Sequence, residues 1–155
     1  MQFTKEVQRN ETTAYIIIVF TIGGIYELWQ WLKSHNKWYR IAFGIGIFGI
    51  LLIGWANGAI WIIGNENNPA NRMYIAVFLV WLIGSIISRF KSNWMARTLF
   101  TTAIIQMTIP VFALCIWPAK ASWGEAWIIG VFIFNAIFAI IFVLSAVLFQ
   151  RSSRH

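Results

Sequence analysis

Acidic residues, histidine, cysteine and proline are all scarce in this 155-residue chain, which has five, two, one and three of them respectively. Each shortage closes off a class of chemistry. Cys115 alone makes no internal disulfide, and with methionine it offers no convincing metal set. His35 lies in a loop expected on the cytoplasmic side and His155 lies beyond the last apolar run, so no pair of intramembrane histidines is expected to ligate haem. Glu6, Glu11, Glu66 and Glu125 fall outside the apolar runs and only Glu27 falls within one, about a turn from its cytoplasmic end. A proton relay needs a chain of titratable groups across the membrane, and Glu27 is expected instead to sit near the headgroups, paired with Lys33 or another basic residue. No nucleophile stands with a base and an orienting partner at a recognisable spacing, so neither an enzyme nor a cofactor protein is expected.

What the chain has in excess is apolar length. It is 59% hydrophobic and 17% aromatic with only 11% charged residues, a composition that suits a lipid-facing bundle and not a soluble globule. A helix needs roughly 20 mostly apolar residues to cross about 30 Å of hydrocarbon. Five runs qualify, at 14–32, 41–63, 74–90, 98–117 and 124–149. They are continuously apolar and do not alternate, so backbone groups must be satisfied within helices and not in a barrel. The fold class is all-α, a polytopic transmembrane helix bundle forming a single integral membrane domain. The first run is expected to be a retained span and not a signal peptide. The charges before it (Lys5, Glu6, Arg9, Glu11) cancel, and it is followed by Glu27, Trp29, Trp31 and Lys33 instead of small residues.

Lys33, Lys37 and Arg40 lie between runs one and two, Arg89, Lys91 and Arg97 between three and four, and Arg151 and Arg154 after five. The other side carries Glu66 with Arg72 and Lys120 with Glu125, so the formal net charge of +7 is essentially one face. The positive-inside rule then predicts the N-terminus outside and the C-terminus cytoplasmic. Basic residues at membrane ends meet anionic headgroups, and nucleic-acid binding is not expected. Trp29, Trp31, Trp38, Tyr39 and Trp94 read as an inner aromatic belt, with Tyr15, Trp61, Tyr74, Trp117, Trp123 and Trp127 as the outer one.

Small residues indicate how the helices meet. In the second run Ala42, Gly46, Gly49 and Ala56 share one face, and Gly54 and Gly58 make a Gly-x-x-x-Gly pair on another, which predicts close approach from two sides and a central position. Gly44, Gly46 and Gly49 also spell a dinucleotide-binding pattern, but without a preceding strand it reads as packing. Ala76, Gly84 and Ser88 give the third run a narrow face.

Polar residues inside spans are the best functional pointers. Gln106 shares a face with Thr102, Pro110 and Ala113, and Pro110 lacks the N–H that would bond the Gln106 carbonyl. Asn135 lies at similar depth, and the two amides are expected to face each other or a shared water. Asn57 is the third polar candidate. The dense polar segment Asn65, Glu66, Asn67, Asn68, Pro69, Ala70, Asn71, Arg72 is read first as a helix start, with Asn68 as cap and Pro69 at the first helical position, and second as a contact site for an ion or partner. Asn68, Pro69 and Ala70 match the aquaporin signature triplet. A single copy, with no second half-helix and no internal repeat, argues against a water channel.

Ile62–Tyr74, Ile86–Phe90 and Met95–Thr102 together resemble a family of small multi-span bacterial inner-membrane proteins. Those proteins carry an acidic, Asn-rich loop ending in Asn-Pro-Ala-Asn and Met-Tyr, then Ala-Arg-Phe and Met-Ala-Arg motifs. The likeness covers roughly residues 40–117 and departs from the pattern at Asn65, Asn67, Arg72 and Ser88, where Ser, Asp, an apolar residue and Ala are expected; the first run is additional to it. It implies a bacterial inner membrane and no mechanism. Two functional classes follow. The first is a non-catalytic accessory or scaffold subunit, self-associating or bound to a larger membrane complex. The second is a small homo-oligomeric channel or transporter lined by Gln106, Asn135 and Asn57.

Overall fold

The computed structural model describes residues 2–64, 68–116 and 127–154, with side chains from Thr13 onward apart from that of Trp127. Among the described residues every regular element is helical, and five helices are long and apolar enough to cross a membrane. The chain divides into two compact units, residues 1–36 and 37–155.

The first unit is helix α1, Gln2–Lys33, whose apolar part covers Thr13–Lys33. Its polar groups are satisfied along its own length: Thr21 Oγ1 donates to the Ile17 carbonyl at 2.7 Å and Gln30 Nε2 donates to Tyr26 Oη at 2.8 Å. Such one-turn bonds let a polar side chain sit in an apolar helix without a neighbouring element.

The second unit holds α2 (Lys37–Ile60), a 3₁₀ turn (Pro69–Met73) that runs into α3 (Tyr74–Ile87), α4 (Ser92–Ile116) and α5 (Trp127–Ser152). The helix ends differ from the apolar runs for local reasons. α2 stops at Ile60 because Trp61 takes a left-handed backbone (φ 48°), after which Ile62 and Ile63 turn inward and are buried. α3 stops at Ile87, three residues before its apolar run ends. There Arg89 (φ 47°) and Phe90 (φ 57°) are both left-handed, and Ser88 Oγ accepts from the Phe90 N–H. α4 begins six residues before its apolar run, at Ser92, with the Lys91 carbonyl accepting from the Met95 N–H at 2.8 Å; its first turns are of mixed polarity and carry no hydropathy signal.

α5 occupies the central place expected of α2. It packs most extensively on α4 and next on α2, while α3 packs on α4. α2 meets α5 through one of its two small-residue faces. A Cβ at Gly49 would stand 3.0 Å from both Ile141 Cγ2 and Phe142 Cε1, and one at Gly46 would stand 3.1 Å from Ser145 Oγ. Ser145 Oγ donates to the Ala42 carbonyl at 2.6 Å, which fixes the height of one helix against the other. The second face, at Gly54 and Gly58, would meet none of the described residues of the unit within 4 Å. α3 and α4 make the other close approach, where a Cβ on Gly84 would stand 2.9 Å from Thr98 Oγ1. Small residues bring backbones near enough for dispersion contacts to hold helices together where lipid offers no hydrophobic drive.

Candidate functional site

The two amides singled out at mid-depth meet. Gln106 Nε2, from α4, donates to Asn135 Oδ1, from α5, at 2.9 Å, and neither residue has any exposed surface. A third member comes from the first turn of α3. Tyr74 Oη donates to Asn135 Oδ1 at 3.2 Å and accepts from Asn135 Nδ2 at 3.0 Å. Asn135 Nδ2 also donates to the Val131 carbonyl one turn back, at 2.8 Å. Asn135 is therefore saturated and ties three helices together. Gln106 is not: its Oε1 is buried with no partner among the described residues, and Pro110 supplies no N–H to its carbonyl. The group holds amides and a phenol joined by hydrogen bonds.

Tyr74 and Tyr39 were both expected in the aromatic belts and are instead core residues. Tyr39 is 1% exposed and Tyr74 4%. Tyr39 Oη donates to the Phe90 carbonyl at 2.7 Å, joining the start of α2 to the α3–α4 turn, and the Phe149 ring lies edge-on to its own at 5.0 Å. The hydroxyl was the available signal, because a buried Tyr needs a partner that Phe does not. Which carbonyl or amide provides it depends on the tertiary arrangement.

Asn57 is half-buried on α2 and donates through Nδ2 to the Asn71 carbonyl at 3.4 Å, while its Oδ1 is buried without a partner among the described residues. It lies with the α2–α3 connection and shares no hydrogen bond with Gln106 or Asn135. Glu27 is exposed on α1. In the connection, Asn68 is a cap as expected: its Oδ1 accepts from the Ala70 N–H at 3.0 Å, with Pro69 following, although the helix so started is 3₁₀ before it becomes α3. Asn71 turns inward and clasps one residue at both ends, accepting from the Ile63 N–H and donating to the Ile63 carbonyl, each at 3.0 Å. Its amide thus substitutes for the backbone partners that the end of α2 leaves unpaired. Arg72 is exposed, and Asn65, Glu66 and Asn67 lie outside the described residues.

The packing candidates separate into filled and open positions. Gly46 and Gly49 are filled by α5 and Gly84 by Thr98 of α4; Gly54 and Gly58 meet none of the described residues of the unit. Ser88 is buried in the α3–α4 turn, donating to the Ser85 carbonyl at 2.7 Å and reaching Met95 Sδ at 3.1 Å. Among the described residues no three His, Cys, Asp or Glu side chains come together as a metal set, and Cys115 is free and exposed. Set against protein-family models, curated proteins and solved structures, the chain matches none of them.

Proposed function

We propose that this multi-pass membrane protein is a non-catalytic accessory or scaffold subunit of a bacterial inner membrane, with its N-terminus outside and C-terminus cytoplasmic, acting through helix–helix association. One observation carries the reading. α2 has two faces built from the same small residues, and one is packed tightly against α5 while the other, at Gly54 and Gly58, meets none of the described residues of its own unit. A vacant Gly-x-x-x-Gly face in lipid is suited to close approach by another helix. The partner is a second copy of this chain or a subunit of a larger membrane complex. The native mass of the protein extracted with its lipids tests this: Gly54→Leu with Gly58→Leu is expected to release the partner while the bundle itself stays folded. A particle of unchanged mass would refute the proposal. Fusing a reporter to each terminus tests the orientation.

A small homo-oligomeric channel or transporter is the second reading, favoured by two buried acceptors without partners at Gln106 Oε1 and Asn57 Oδ1. Polar groups left open in a membrane interior mark pathways in some proteins. Gln106→Leu with Asn135→Leu separates the two readings. Loss of flux across liposomes by a folded variant supports the channel, and unaltered assembly without any flux supports the scaffold.

A further inference from the structure

One end of the second unit gathers cations without carboxylates. The start of α2, the α3–α4 turn and the end of α5 are held together there, by the Tyr39 bond to the Phe90 carbonyl, by Ser92 Oγ against Ser152 Oγ at 3.3 Å, and by the Arg151 guanidinium 3.9 Å over the Trp38 ring. Lys37, Arg40, Arg89, Lys91, Arg151 and Arg154 belong to these segments. The only acidic residues in 37–155 are Glu66 and Glu125, and neither belongs to any of them.

Within this end lies a cleft of ≈ 260 Å³, lined by Ile87, Ser88, Arg89, Lys91 and Trp94. Three features suit it to a phosphate. Arg89 and Lys91 are both exposed, and neither is engaged in an ion pair or side-chain hydrogen bond among the described residues. The left-handed backbone at Arg89 and Phe90 breaks the helix between the two cations, a conformation uncommon for residues of this size and found where surrounding structure enforces it. α4 begins directly after Lys91, so its first backbone N–H groups, which have no intrahelical acceptor, open beside the same residues.

Two further features suit the site to a lipid. It sits where the apolar spans of α3 and α4 give way to the turn between them, the level at which a crossing helix meets headgroups. Its outer wall is apolar: Ile87 is 75% and Trp94 54% exposed, and the Arg97 guanidinium lies 4.6 Å from the Trp94 ring centre and adds positive charge to the rim. A free anion would gain nothing from Ile87 and Trp94, whereas a glycerophospholipid places acyl chain there and phosphate between the cations.

We infer that the cleft between Arg89, Lys91 and Trp94 is a binding site for one anionic phospholipid, whose phosphate is held by the Arg89 fork and the Lys91 ammonium at the start of α4. Arginine presents two parallel donors to phosphate oxygens and lysine a point charge, so the pair gives both orientation and attraction.

Native mass spectrometry of the full chain in detergent tests this, titrated separately with phosphatidylglycerol, phosphatidylcholine, glycerol 3-phosphate and inorganic phosphate. One phosphatidylglycerol is expected to bind in preference to phosphatidylcholine. Arg89→Gln with Lys91→Gln should weaken it about 30-fold, from the attraction each cation exerts near an anionic headgroup. Arg40→Gln with Arg154→Gln removes the same charge from the same end outside the cleft and should change it little. Equal weakening by both pairs means diffuse charge attraction and overturns the site. Equal retention of phosphatidylcholine overturns the headgroup selectivity, and displacement of the lipid by inorganic phosphate or glycerol 3-phosphate overturns the lipid as ligand. If the double variant does not fold, Lys91→Gln alone, at the residue just before α4, must weaken binding about fivefold. Unchanged binding overturns the assignment.

Discussion

The two glycine faces of α2 are built from the same residue type and do opposite things. At Gly46 and Gly49 the missing side chains are replaced by Ser145, Ile141 and Phe142 of α5, and a hydrogen bond from Ser145 to the α2 backbone locks the contact. At Gly54 and Gly58, one to three turns further along the same helix, no described residue of the unit lies within reach. Polar groups divide in the same manner. Those of the filled interior, Asn135 and Ser145, bond across helices, whereas Thr21 and Gln30 of α1 bond within their own. A small residue thus permits close approach without compelling it; a polar side chain reaching a second helix is what fixes the contact.

The most damaging way to break the filled face is Gly49→Leu, which forces Ile141 and Phe142 aside. It should cost about 2–3 kcal/mol, read as an earlier unfolding midpoint in detergent titrated with dodecyl sulfate. Asn135→Leu comes next. It leaves Gln106 Nε2 and Tyr74 Oη buried without their acceptor and should cost about 1–2 kcal/mol by the same measurement. A double-mutant cycle between Gln106→Leu and Asn135→Leu isolates the direct bond, with a coupling near 0.6 kcal/mol expected from interhelical hydrogen bonds in membranes. Gly54→Leu with Gly58→Leu should move stability by less than about 0.5 kcal/mol, because the added side chains enter open space. A large loss of stability there would make the two faces equivalent and erase the contrast.

What sequence alone revealed follows how local each feature is. The five spans are a matter of composition and length, and all five are helices of the expected kind. The pairing of Gln106 with Asn135 was legible because few amides occur at mid-depth and an unpaired one in hydrocarbon is costly. Asn68 was legible as a cap because its bond reaches only two residues along. Tyr74 was not, since its partner lies 61 residues away and a tyrosine at a span end reads equally well as a belt residue. Nor were the helix ends at Ile60 and Ile87, where Trp61, Arg89 and Phe90 adopt backbone angles that their residue types do not announce. Asn71 escaped for a third reason: its clasp on Ile63 depends on how the intervening connection closes. The occupancy of the two glycine faces was invisible, as both have the same helical spacing.

The bond between Ser145 and Ala42 joins residues 103 positions apart, and that separation has a consequence in time. α2 leaves the ribosome long before α5 exists. At synthesis rates of about 5–20 residues per second, roughly 5–20 s pass before its main partner emerges. Throughout that interval Gly46 and Gly49 have no α5 to sit against, whereas α4 meets α5 as soon as the connection between them is made. The last helix therefore completes the unit, and a chain stalled before residue 127 holds α2 in the bilayer with no α5 against Gly46 and Gly49.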